Sequence, residues 1–317
     1  MTAYSIKDKR LKWAKIGMTL LFLVFFVPLK ASYILIPMDV KQVNHLKAYG
    51  ITYWVINQNI EAFWLLNYRG GSFAFVHTKT FEKECITRGV SYEVIADAEY
   101  IRIREEINNP EINQEVMKLE KAPRIAVYTP EFNEKGERIQ PWDDAVTLAL
   151  TYAEIPFDKI YDKEIVNGLL AKYDWLHLHH EDFTGQYGKF YANFNGQPWY
   201  KENQRRQENL AKELGFAKVS QLKLNVAIQI QKYIAGGGFM FAMCSATDSY
   251  DIALSASGLD ICAKYFDGDA PDSDPDSKLD FSTTLAFKNF TLVKDPLQYE
   301  FSSIDNNFYR KVIPENV

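Results

Sequence analysis

The chain has 317 residues, 47% of them hydrophobic and 24% charged, a globular balance that excludes a disordered chain. Aromatic residues reach 15%, a share suited to many buried strands or to a sugar- or partner-binding surface. The first 31 residues hold six Lys/Arg and one Asp, so without them the net charge falls from −5 to −10; nucleic acid and anionic membranes, which need a basic face, are excluded as partners.

Lys7, Lys9, Arg10, Lys12 and Lys15 make a basic start, and Ile16 to Leu29 is a charge-free apolar run of 14 residues. Ala31 then offers a small residue before Ser32. The pattern predicts a cleavable secretion signal over 1–31, a mature start at Ser32 and a periplasmic or otherwise exported protein. The alternative is an uncleaved N-terminal anchor, although 14 residues are short for a membrane span. No later segment is long and apolar enough to cross a membrane, so no span is expected once the signal is removed.

Residues 32–120 read as a small α/β lobe. Tyr33 to Met38 is a strand, and Val40 to Tyr49 a helix ended by Gly50. Trp64 to Tyr68 and Ser72 to Val76 flank Arg69-Gly70-Gly71 as a hairpin. Glu105 to Glu120 is polar and reads as a helical or loose connector.

Residues 121–317 alternate strand and helix. Strands are expected at Arg124–Tyr128, Phe157–Tyr161, Trp175–His179 and Phe239–Met243, the last apolar throughout, as in a central parallel strand covered on both faces. Helices are expected from Trp142 to Ala153, from Glu164 to Tyr173, from Trp199 to Leu214, and from a Ser220 cap to Gly236-Gly237-Gly238. This order predicts a doubly wound, mostly parallel, flavodoxin-like sheet whose ligand crevice lies at the carboxyl ends of its strands.

Two constellations fall at those ends. Cys244 follows the fourth strand and opens Ser245-Ala246-Thr247-Asp248 into a helix. That is nucleophile-elbow geometry, with backbone N–H groups placed for an oxyanion and a helix N-terminus to lower the thiol pKa. The plain alternative is a small residue filling a tight turn. His177-Leu178-His179-His180-Glu181-Asp182 ends the third strand. His179 or His180 would serve as base to Cys244, with Glu181 beside them. Ser245, Asp248 and Asp182 are the candidate ligand-binding groups. His177 and His179 with Glu181 or Asp182 is also a divalent-metal pattern, and the bland reading is hydrogen bonding to a crossing loop; no metal or cofactor is assigned. Cys85, Cys244 and Cys262 leave at least one thiol unpaired, with a Cys85–Cys262 bridge as the possible pair. The acidic stretch from Asp267 to Asp276 lacks calcium-loop spacing and reads as a solvated loop.

Tyr173-Asp174-Trp175-Leu176-His177-Leu178-His179-His180, a helix, and Tyr233-Ile234-Ala235-Gly236-Gly237-Gly238-Phe239-Met240-Phe241-Ala242 together resemble the class I glutamine-amidotransferase-like superfold over residues 123–265. The whole chain is similar to an exported group of Bacteroidetes-type bacteria often labelled asparagine synthetase B. The resemblance implies an amidotransferase-like α/β domain with Cys244 at the nucleophile position. It departs from the pattern in having no His after His180, so the His-x-Glu pair is missing and either the domain is truncated at its C-terminal side or the branch is not a working glutaminase. The synthetase label is not supported by the residues: Thr2 follows Met1 where that enzyme exposes a cysteine, and no S-G-G-x-D-S loop is present. Two functions are expected, then: a non-catalytic envelope protein binding a small ligand or another envelope protein, or an exported cysteine hydrolase or amidase.

Overall fold

The computed structural model describes residues 32–140 and 143–305. The expected secretion signal lies outside the described residues. The described residues divide into two compact units on either side of the Ala122–Pro123 boundary.

In the first unit β1 (Ser32–Ile36), α1 (His45–Asn57), β2 (Ala62–Leu66), β3 (Ser72–Val76), α2 (Lys79–Arg88), β4 (Glu93–Ala96), α3 (Asp97–Ile107) and β5 (Glu115–Leu119) follow in order. The strands form an antiparallel sheet, β4-β1-β3-β2-β5; the first four have the order of a split β-α-β unit. Alternate strand residues divide between two cores. Ile34, Ile36, Phe73 and Phe75 join the buried residues of α1 and α2, while Leu35, Leu65 and Ala74 join those of α3.

The hairpin joins β2 to β3 with Trp64 opposite Phe73. Its turn needs glycine at Gly70, where φ is +81° and a Cβ would meet the Met38 carbonyl oxygen at 2.4 Å. Two expectations fail in this unit. The first helix starts at His45 because Asn44 caps it, accepting from Lys47 N–H, and it runs through a buried Gly50 to Asn57. The polar stretch after Glu105 is no loose connector: it finishes α3 and forms β5, which pairs with β2 at the sheet edge.

The second unit begins with β6 (Ile125–Tyr128), α4 (Ala145–Ala153), β7 (Phe157–Ile160), α5 (Asp162–Val166) and β8 (Trp175–Leu178). It continues through α6 (Tyr191–Phe194), α7 (Pro198–Glu213), α8 (Val219–Ala235), β9 (Phe239–Ala242), α9 (Ser245–Ser255) and α10 (Lys264–Asp267). All four strands are parallel, in the order β7-β6-β8-β9. Ala126, Tyr128, Leu176 and Leu178 share one core with Leu222, Val226 and Ile230 of α8 and Tyr250 of α9. Gly185, at φ +82°, lets its loop approach α8; a Cβ there would lie 2.7 Å from Ser220 N.

Five expectations are corrected here. The apolar fourth strand is at the sheet edge, not its centre: Met240 and Ala242 pack on the core while Phe239 and Phe241 remain 58% and 47% exposed. The stretch from Glu164 to Tyr173 breaks at Gly168 (φ +79°) into α5 and a short 3₁₀ turn. Ser220 does not cap α8; Lys218 holds that position without a side-chain bond. Cys85 and Cys262 are buried free thiols, so their bridge is not formed. The helix expected from Trp142 starts at Ala145 because Asp144 caps it; residue 142 itself lies outside the described residues.

Candidate functional site

Parallel strands gather their carboxyl ends on one side. The loops after β6 and β8, with α7, α8 and the cap of α4, enclose a cleft of about 470 Å³ there. His179, His180, Glu181 and Asp182 line it with Asp144 and Lys223.

Its floor is a buried ion pair. Lys223 and Asp162 have side chains only 3% and 2% exposed, with Nζ 3.0 Å from Oδ2. Lys223 Nζ also donates to the Tyr128 and Tyr161 hydroxyls at 3.0 and 3.1 Å, and Tyr128 donates its own hydroxyl to Asp162. The three ammonium donors are thereby matched. The ammonium also lies 4.4 Å from the Tyr161 ring centroid. Burial opposes the charge, but Asp162, Tyr161 and Glu181 together hold the Lys223 pKa above its ordinary value.

Above this floor stands Glu181. Among the described residues no hydrogen bond or ion pair engages its carboxylate. Burial pushes that carboxyl up to about 8, against the pull of Lys223. Its backbone is fixed instead: Ser249 Oγ donates to Glu181 O at 2.8 Å.

On the cleft wall His179 Nδ1 lies 2.5 Å from Asp144 Oδ2. Asp144 Oδ1 accepts from Val146 and Thr147 N–H at 2.9 Å each, as the cap of α4. Burial would raise the Asp144 pKa, but those donors and His179 hold it below the ordinary carboxylate value. The His180 ring stands 3.5 Å from that of His179. His177 points elsewhere: it is buried, stacks on Phe241 at 5.6 Å, and its Nε2 has no partner among the described residues. Burial lowers the pKa of both His177 and His180.

Asp182 is spent on its own loop, with Oδ1 accepting from Thr184 N–H and Oγ1 and Oδ2 from Gly188 N–H. Asp248 is not a cleft residue. It is 3% exposed, accepts from Ser249 N–H through Oδ1, and buries Oδ2 with no partner among the described residues.

Cys244 occupies the turn between β9 and α9 and is exposed, with φ 52° and ψ −139°. Such a backbone is costly for a non-glycine residue. The strands place this turn beside the end of β8: Met243 N–H donates to Leu178 O at 3.1 Å and Ala246 N–H to His179 O at 3.4 Å. Cys244 does not line the cleft, and among the described residues no hydrogen bond joins its sulfur to an imidazole. Ser245, partly buried, is the first residue of α9.

The sequence reading missed Asp144, Asp162, Tyr128, Tyr161 and Lys223. Lys223 carried a signal, since it falls on the stripe of Val219, Leu222, Val226 and Ile230, where a cation needs a buried partner. Comparison of the chain with protein-family models, with curated proteins and with solved structures gives no match.

Proposed function

We propose that this chain is an exported ligand-binding protein whose site is the cleft after β6 and β8, on a flavodoxin-like sheet of the class I amidotransferase-like kind. Position carries the reading. The parallel strands run 2-1-3-4 across the sheet, in agreement with the start of the flavodoxin-type order, where ligands enter between strands 1 and 3. Here those strands are β6 and β8, and residues following both line the cleft.

Charge narrows the ligand. Glu131, Glu134, Asp143, Asp144 and Asp182 line the cleft as carboxylates, with Glu181 as a proton-holding carboxyl below about pH 8, against only Arg206 and Lys223. Lys223 is committed to the floor, and Arg206 donates to the carbonyls of Asn133 and Glu134. An anion would meet an acidic wall, so the ligand is a small molecule rich in amine or hydroxyl donors. Calorimetry and thermal shift on the EDTA-treated chain, with polyamines, amino acids and oligosaccharides against dicarboxylates, test this. Binding by the donor-rich compounds that weakens in Glu181→Gln is expected; binding of the dicarboxylates alone would overturn it.

A second reading, an amidase or hydrolase using Cys244 with His179 or His180, is favoured by one observation: the strained backbone of an exposed cysteine between strand and helix. A working nucleophile should react with iodoacetamide well below pH 8.5, the ordinary thiol value, and Cys244→Ser should abolish amide hydrolysis without loss of stability. Labelling that follows an ordinary thiol across pH would remove it.

A further inference from the structure

We infer that Asp144, His179 and His180 form a binding site for a first-row divalent cation, zinc by preference, on the wall of the cleft. The inference rests on that cleft being the functional centre and names what its wall recognises.

The donors are already gathered. One ligand atom from each of the three residues lies within 4.8 Å of the others. Each comes from a fixed point of the fold: the histidines are the two residues directly after β8, and Asp144 is the cap of α4. The cap also orients the carboxylate. Its Oδ1 is held by two backbone N–H groups, which leaves Oδ2 directed at His179. This is the arrangement of outer bonds that fixes a metal-ligating carboxylate.

Beside Asp144 the protein supplies only the His179 imidazole among the described residues. Among the described residues no Lys or Arg pairs with Asp144. The contrast is the other cluster of possible ligands, Asp260, Cys262 and Asp267. There the Lys218 ammonium sits 2.5 Å from Asp260 and 3.0 Å from Asp267, and the protein supplies its own counter-ion.

The donor set selects the metal. Two imidazoles and one carboxylate suit zinc and its first-row neighbours, whereas magnesium and calcium take oxygen donors. Three protein ligands leave a position open, as in zinc centres that bind water or substrate rather than in closed structural ones. All three residues line the cleft, so that position faces the ligand space. Coordination replaces the His179–Asp144 hydrogen bond: its proton leaves to solvent, and both lone pairs go to the ion.

The test is zinc titration of the untagged, EDTA-treated full chain by calorimetry and chelator competition, with magnesium as control. His180→Asn removes a ligand at an exposed residue. Asp144→Asn removes the charge and keeps a cap-forming side chain. Expected are one zinc per chain, no magnesium binding, and weakening in each variant by at least the roughly 10–100-fold that loss of an outer-shell partner costs. Cobalt in place of zinc should give a visible absorption without a thiolate charge-transfer band. Unchanged zinc affinity in both variants, with circular dichroism showing the fold intact, would overturn the site. So would a thiolate band or equal binding of magnesium. Loss of the metal site with donor-rich ligands still bound to the EDTA-treated chain refutes this inference alone; loss of both refutes the cleft.

Discussion

Replacing Lys223 by Met is the sharpest test of the floor beneath the cleft. Methionine matches the length of the lysine stem but leaves Asp162 buried and facing no cation. Both side chains are almost wholly inaccessible, so solvent cannot take over the lost contact. Removing one partner of such a pair costs about 3–5 kcal/mol, and the Tyr161 hydroxyl loses its ammonium donor as well. For a unit the size of residues 123–317, each kcal/mol moves the midpoint by about 2–4 °C, so a fall of roughly 6–20 °C is expected. Urea and thermal unfolding would measure it, with Trp175 and Trp199 as reporters in this unit. The companion variant, Lys223→Met with Asp162→Leu, should recover most of the loss, because a buried ion pair gains little over an apolar one of the same volume. A single-variant cost below about 1 kcal/mol, the range of exposed pairs, would refute the buried pair. A double variant no more stable than the single one would refute it too.

Asp248 should make the protein less stable as pH rises. Burial pushes its carboxyl up to about 6, whereas an unfolded aspartate titrates near 3.9. The folded state therefore holds more protons between those values, and stability is lost as pH rises through the window, by up to about 3 kcal/mol. Asp248→Asn should remove that slope, gaining on the wild type between pH 4 and pH 7 in urea titrations; parallel curves would refute the assignment. Lys189 is buried and donates to the carbonyls of Val293, Asp295 and Glu300 at 2.8, 3.2 and 3.0 Å. Lys189→Met removes the ammonium donor from these part-buried carbonyls, at a cost of up to about 1–3 kcal/mol. Hydrogen exchange should rise over residues 293–300, and unaltered protection there would contradict the pin.

The parallel sheet was legible because its short strands, apolar throughout in β6 and β9 and broken only by Asp158-Lys159 in β7 and His177 in β8, are separated from one another by helical segments. The rank of β9 in that sheet was not. Phe239-Met240-Phe241-Ala242 is apolar on both faces, and that pattern is the same for a central strand and for an edge strand with one bare face. The cleft residues His179, His180, Glu181 and Asp182 were legible because they are consecutive and end a strand. Their partners were not. Asp144 lies 35 residues before His179 and Asp162 lies 61 before Lys223, distances that only the sheet crossovers close. Asp248 misled for a local reason: a polar residue just after a strand reads as a ligand group, but nine of the eleven residues of α9 are buried and it turns inward with them.

The cleft is built in two tiers that differ in what they can change. Lys223, Asp162, Tyr128 and Tyr161 satisfy one another, so no donor of the ammonium is left for a ligand and the floor has one arrangement. Glu181, His179 and His180 stand above it with positions still open to a proton, an ion or a ligand donor. Their backbone is held from two sides. Asp182 closes the loop on Thr184 and Gly188, and Ser249 of α9 both donates to Glu181 O and accepts from Phe183 N–H at 3.4 Å. Groups able to exchange partners are thus mounted on a frame whose own bonds are closed, which is the condition for a pre-formed site. Cys244 has strain without that frame. Among the described residues its sulfur bonds to no imidazole, and His179, whose carbonyl oxygen accepts from Ala246 N–H beside the turn, already shares Nδ1 with Asp144. For that reason the proposed site is the carboxylate and imidazoles directly after β8, with the cysteine turn as its neighbour.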